Sequence, residues 1–216
     1  PLSPGSPDAA PPTQGVWFGL AAFFVAAVTG TFVLSFNRAF GEDEVEHLYA
    51  AYTVGTGGLL YADIWQGHHP LLYWLLAPVM FDDDPVLAYR LARFSMLACL
   101  LGMVGIATFV ARRLGGWQAA VWAPALLFLE TTVANRGIEV RPDVPAALLV
   151  TGASALAVLL GPSTANHTAQ ALVLSLAFLF SKKAAVLTVP FGLLWCWHAW
   201  RDRRPGLLLA PLVVWA

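Results

Sequence analysis

Charged side chains are missing from long stretches of this chain. Between Asp8 and Arg38 lie 29 residues without Asp, Glu, Lys or Arg; between Arg93 and Arg112 there are 18, between Arg113 and Glu130 16, between Asp143 and Lys182 38, and between Lys183 and Arg201 17. A helix needs roughly 20 apolar residues to cross a hydrocarbon layer about 30 Å thick. The runs therefore predict five or six crossings, at about 16–37, 88–111, 117–135, 143–160, 169–181 and 184–200. A seventh begins near Leu207 and is cut off at Ala216, so the expected chain is an incomplete one. The fold class is all-α, a polytopic transmembrane helical bundle over residues 16–216.

Two segments do not fit the crossing pattern. Residues 1–15 (PLSPGSPDAAPPTQG) are Pro-rich and nearly without apolar side chains, the composition of a disordered arm. Without a basic leading region, the arm and first crossing do not read as a signal peptide, and the crossing is expected to stay as an anchor. The segment from Asn37 to about Tyr89 is the largest loop. Val45, Leu48, Tyr49 and Tyr52 recur at helical spacing on one stripe, with Asp43, Glu46, His47 and Ala50 on another. This predicts an amphipathic helix lying at the membrane interface, ended by Gly55, Gly57 and Gly58. The apolar stretch from Pro70 to Met80 is only 11 residues long, too short to span. With Trp65, Tyr73 and Trp74 suited to headgroup depth, it reads as a second interfacial or re-entrant helix. The alternative is a tilted crossing from Ile64 to Phe81, which would reverse every later segment.

Composition sharpens the class. Hydrophobic residues make up 58% of the 216 and charged ones 12%, about half the charged share of a soluble domain. A water-soluble enzyme is excluded, and a net charge of −1 removes the electrostatic case for nucleic acid. Cys99 and Cys196 sit in apolar runs and suggest neither a disulfide framework nor a thiolate metal site. No nucleotide-phosphate loop occurs.

Basic residues near helix ends set orientation. With a cytoplasmic N-terminus, Arg112, Arg113, Arg201, Arg203 and Arg204 fall inside. Arg38, Arg90, Arg93, Arg136, Arg141, Lys182 and Lys183 fall outside, so the basic residues are divided. The acids are not: all but Asp8 and Asp202 of the 13 lie outside, with His47, His68 and His69. Acids contribute little to topology, so their gathering reads as a site.

Several motifs occur in order along that outer face. Asp43 and Glu44 follow the first crossing, a His-Pro-Leu-Leu-Tyr-Trp segment starts at His69, Arg141-Pro142-Asp143 opens the fourth crossing, and LAFLFSKKAAVLTVP covers 176–190. Over residues 16–200 this arrangement resembles the GT-C superfamily of integral-membrane glycosyltransferases, in the branch of protein O-mannosyltransferases and lipid A aminoarabinose transferases. The resemblance implies a sugar donor carried on polyprenyl phosphate and a hydroxyl acceptor on a glycan, lipid or protein. It further implies inversion at the anomeric carbon and a multi-pass place in a bacterial plasma membrane with the active site outside.

Roles follow from the resemblance and the chemistry together. Asp43 is the expected base or acceptor-orienting group, with Glu44 beside it; a partly desolvated carboxylate has its pKa raised toward the useful range. Asp43 as N-cap with Glu46 three residues on would equally make a capping box. The departing lipid phosphate needs cations, supplied by Lys182, Lys183 and Arg141; lysines at a helix end also snorkel without any ligand. Asp143 inherits an acceptor or metal role, or serves a helix start. Glu46, His47, His68 and His69 are the remaining ligands offered to an acceptor or a divalent metal ion, although Gly67-His68-His69-Pro70 departs from the Glu-Lys-Pro-Pro element of the aminoarabinose branch. The competing class is non-enzymatic: a transporter, a flippase or a scaffold subunit of a glycan-assembly complex.

Overall fold

The computed structural model describes residues 13–81, 84–130, 136–208 and 211. Positions 1–12 of the expected disordered arm, the acids Asp82 and Asp83, and most of the seventh crossing lie outside the described residues. Helix dominates, as the apolar runs require: α1 (Gln14–Asn37), α2 (Glu42–Gly55), α3 (Leu71–Leu76) continued by a 3-10 turn (Ala77–Phe81), α4 (Pro85–Leu129), α5 (Asp143–Leu159), α6 (Thr164–Phe180), α7 (Ala184–Arg201) and a second 3-10 turn (Pro205–Leu208). Two of these helices are long and apolar enough to cross a membrane, over Gln14–Leu34 and Pro85–Leu129.

The 45-residue α4 is two helices joined at Gly116, whose φ of 71° and ψ of −160° no L side chain adopts without strain. The chain folds back there. Trp17 near the start of α1 meets Trp117 at 4.8 Å between ring centroids, while Phe32 meets Phe94 at 6.5 Å and Phe24 meets Phe128 at 6.1 Å. The 85–115 arm thus runs antiparallel to α1 and the 117–129 arm parallel to it, which matches the break expected between the second and third crossings. Leu97, Leu100, Val104 and Ile138 form the core of this unit, with Phe24 and Phe128 packed on it.

The α5–α7 helices form a second unit. The Asn166 side-chain amide donates to the carbonyls of Leu156, Leu160 and Gly161, tying the α5–α6 turn as a buried brace. Gln170 accepts from the Trp195 indole N–H at 2.9 Å. Ala153, Ala171, Leu174, Phe191 and Trp195 fill the space between the three helices.

The contacts sort the chain ends of all these helices into two groups. One end of the bundle holds Arg38, Glu44, Arg93, Glu139, Arg141, Asp143, Ser181 and Lys183; the other holds Trp17, Arg112, Trp117, His167 and His198. Over the first end, α2 and α3 form a cap. Its core joins Leu48, Ala51, Leu72, Tyr73, Leu76 and Met80 to Ala92 and Met96 of α4 and Phe180 of α6. Gly55 is needed in this packing: a Cβ there would stand 2.9 Å from the Ala77 carbonyl oxygen.

Two expectations about the cap need correction. The buried residues of α2 are Glu44, His47, Leu48, Ala50, Ala51 and Gly55, whereas Val45, Tyr49 and Tyr52 are about half exposed. Polar side chains with dedicated partners turn inward and rotate the apolar stripe out. Tyr73, expected at headgroup depth, is fully buried, while Trp65 and Trp74 are exposed. The stretch from 71 to 81 is a short helix and a 3-10 turn; it is not a tilted crossing.

A side chain at Gly116 would have to enter a backbone region that costs on the order of 1–3 kcal/mol. Gly116→Ala should lower the Tm of the detergent-solubilised protein, and an unchanged Tm would mean that the reversal at this residue is misassigned.

Candidate functional site

The cap is held by one buried ion pair. Arg93, which lies within the apolar sequence of α4, is 2% exposed and faces Glu44 at 1%. Its Nε donates to Glu44 Oε1 at 2.9 Å and its Nη2 to Oε2 at 2.6 Å. The backbone N–H of Val140 donates to Oε1 and that of Gly41 to Oε2. The guanidinium also donates to the carbonyls of Arg38 and Ala39 and lies 4.1 Å from the Phe40 ring centroid. Burial alone would raise the Glu44 pKa, but the Arg93 guanidinium and the two N–H donors hold the carboxyl below its usual range. With four donors on two oxygens, every lone pair of Glu44 is engaged, and the carboxylate serves the framework. The capping relation is displaced as well: Gly41 is the N-cap of α2, and Glu44, not Glu46, reaches back to it.

Asp43 precedes Glu44 in the chain and points away from that lock. Its carboxylate is 58% exposed and pairs with Arg141 Nη2 at 2.8 Å. Arg141 also reaches Glu139 at 3.2 Å, and Glu139 in turn holds Arg38 at 2.8 Å. Asp143, in the first turn of α5, accepts from Ser181 Oγ at 2.7 Å and pairs with Lys183 at the α6–α7 turn. Two acid–base pairs from four segments thus stand side by side.

Beside them opens a cavity of about 350 Å³ lined by Arg136, Arg141, Asp143 and Lys183 at its polar rim and by Leu100, Met103, Val144 and Ala147 below. Arg136 lies 3.7 Å from Glu139. Arg38, Arg136, Arg141 and Lys183 set against Asp43, Glu139 and Asp143 leave this cluster with positive charge in excess. Lys182 is not part of the rim; its ammonium donates to the Gly67 carbonyl at 3.2 Å and ties the cap loop to the α6–α7 turn. The two lysines are therefore separated by the structure: Lys183 lines the cavity and Lys182 braces the loop.

The histidines build a second polar group under α2. Tyr73 donates to Gln66 Oε1 at 2.9 Å, so its oxygen accepts from His47 Nδ1 at 3.1 Å, and Gln66 Nε2 donates to Glu46 Oε1 at 3.1 Å. The His68 ring meets His47 edge-on at 5.0 Å, and its Nδ1 is buried without a hydrogen-bond partner. Burial, with His68 next in effect, pushes the His47 pKa down to about 4, and burial lowers that of His68. Burial also raises the Tyr73 phenol above its ordinary value. His69 is occupied elsewhere, its Nδ1 donating to the Phe178 carbonyl at 2.5 Å. Among the described residues no three His, Cys, Asp or Glu side chains come together to hold a metal ion. His47, Glu46, His69 and Asp143 are each engaged by a separate partner, namely Tyr73, Gln66, the Phe178 carbonyl and Ser181 with Lys183, and His68 meets the His47 ring edge-on, so these side chains form no assembled donor set for a divalent ion.

Arg93, Gln66 and Ser181 are not among the residues that the sequence singles out. Arg93 carries a usable signal, since an arginine followed by 18 uncharged residues has to find a counter-ion. Gln66 and Ser181 carry none. In comparisons with known proteins, no family model, no curated protein and no solved structure matches this chain.

Removing one partner of a buried ion pair strands the other charge, at a cost of about 3–5 kcal/mol. Glu44→Gln should accordingly cause a large fall in Tm, and a variant as stable as the parent would show that the pair does not hold the cap. His47 gives a pH signature. Its folded pKa lies below the 6.5 of a free imidazole, so protonation favours the unfolded chain. Its stabilising share is full above pH 6.5 and is lost as pH falls toward 4. Thermal melts across this window should slope less steeply for His47→Asn than for the parent; parallel slopes would assign the proton to another group.

Proposed function

We infer that the chain is a membrane-embedded glycosyltransferase unit, a polytopic bundle that takes a sugar from a polyprenyl phosphate at its capped end and passes it to a hydroxyl acceptor. The observation that carries this reading is the cavity with three cations at the rim and an apolar wall beneath, the shape and charge of a site for an anionic amphiphile. A phosphate would meet Arg136, Arg141 and Lys183, and the first prenyl units would lie on Leu100, Met103, Val144 and Ala147. Two helices long enough to span, with shorter apolar helices beside them, agree with the bilayer as solvent.

In this reading Asp43 takes the proton of the acceptor hydroxyl as its oxygen bonds to the anomeric carbon from the face opposite the phosphate. The bond between that carbon and the phosphate oxygen breaks, and the electron pair leaves with the phosphate. The growing negative charge is met by the cations of Lys183 and Arg141 at the rim. Arg141 has a double part, because it also holds Asp43 at 2.8 Å. Phosphate arriving at Arg141 would compete for the guanidinium and free the carboxylate for its proton, coupling donor binding to activation of the base.

A non-catalytic scaffold is the second reading, and one observation favours it: both acid–base pairs at the rim are closed. Transfer assays on membranes carrying the chain separate the two. Asp43→Asn should abolish sugar transfer from polyprenyl-phosphate donors while expression, membrane insertion and donor binding persist. Lys183→Gln should weaken donor binding about tenfold or more, whereas Lys182→Gln should leave it near the parent value. Full transfer by Asp43→Asn would remove the catalytic assignment.

A further inference from the structure

The opposite end of the bundle carries a second combination of cations and apolar space that sugar transfer does not use. Arg112 and Arg113 end the 85–115 arm of α4 just before the reversal at Gly116. The Arg112 guanidinium carbon lies 3.4 Å from the Trp117 ring centroid and that of Arg113 lies 5.2 Å from Phe109. The Trp117 ring under Arg112 also lines an apolar cavity of about 290 Å³ that opens between α1 and both arms of α4, with Trp17, Phe24, Ala120 and Val121 among its other walls. Trp17 and Trp117 stand edge-to-face at its mouth.

Stacking on an aromatic face leaves the edge of a guanidinium, with its N–H donors, free for an anion. The charges nearby offer none. Among the described residues Asp202 is the acid at this end of the bundle, and it is held by Arg201 at 2.7 Å, while Arg203 and Arg204 add further positive charge. Indole rings at such a mouth settle at headgroup depth, and basic residues beside them draw anionic lipid.

We propose that Arg112 and Arg113, with the Trp17–Trp117 cavity, bind one anionic glycerophospholipid in the leaflet away from the sugar-transfer site. The phosphodiester sits on the Arg112 guanidinium edge, with Arg113 adding positive charge from the next position, and one acyl chain enters the cavity. The site serves to hold the chain reversal at Gly116 against α1. This inference rests on the membrane-spanning part of the reading above and not on sugar transfer, so Asp43→Asn leaves it untouched.

The test is native mass spectrometry of the full chain released from mixed phosphatidylcholine and phosphatidylglycerol bilayers. One phosphatidylglycerol should remain per chain in preference to phosphatidylcholine. The double variant Arg112→Gln, Arg113→Gln should lower that retention about tenfold or more. Ala120→Leu fills the cavity and keeps both cations, and should lower retention as well; Tm measured beside each variant identifies one that fails to fold. Equal retention of the two lipids overturns the proposal, as does phosphatidylglycerol retention that survives either folded variant. Binding of inorganic phosphate in place of lipid overturns it too, by making the ligand a soluble anion. A chain that does not co-fractionate with bilayers refutes this proposal and the membrane reading together, whereas a chain that inserts without lipid preference refutes this proposal alone.

Discussion

A charge cannot remain alone in an apolar helix bundle, and the pairing of Arg93 with Glu44 is the constraint from which the capped end follows. Arg93 comes from α4, Glu44 from α2, and the remaining donors and acceptors come from Gly41, the carbonyls of Arg38 and Ala39 and the N–H of Val140. One ion pair thus joins the end of α1, the start of α2, the early turns of the first α4 arm and the link that leads into α5. Desolvating both charges costs free energy, and the pair is tolerated because nearly every donor and lone pair is engaged. The cost of leaving either partner unmatched is what makes the arrangement specific.

The orientation of the polar rim is a by-product of this lock. With Glu44 turned inward, Asp43 one residue earlier faces about 100° away around α2, toward Arg141. With Val140 fixed on Glu44, Arg141 and Asp143 emerge beside it, and Asp143 then receives Ser181 and Lys183 from the α6–α7 turn. The groups proposed to act in transfer are more exposed than the groups that position them. Asp43 and Lys183 are each more than half exposed, while Glu44, Arg93 and Tyr73 are buried.

Much of the helix pattern is legible in the sequence because uninterrupted apolar runs have few other ways to satisfy their backbone. The break at Gly116, the helices starting at Asp143 and near Ala184, and the short helix after Pro70 all fall where the charges and prolines put them. The gathering of acids and histidines at one end is legible for the same reason. Their pairings are not. Which of Asp43 and Glu44 turns inward depends on Arg93, 49 or 50 positions away, and helical periodicity contains no information about it. The amphipathic stripe of α2 misleads because hydrophobicity is not the only reason for burial, and buried hydrogen bonds to Tyr73 and Arg93 outweigh it. Lys182 and Lys183 are indistinguishable as letters; only the fold sends one to the Gly67 carbonyl and the other to the cavity rim.

The unequal arms of α4 have a consequence for shape. At about 1.5 Å per residue the outgoing arm measures roughly 45 Å and the returning arm roughly 20 Å. The strut that comes back is less than half as long as its companion and stops well short of the level from which that companion set out. Counted back from Gly116, Leu100 and Met103 stand on the longer strut at about the height where the shorter one stops, and both line the socket next to α5.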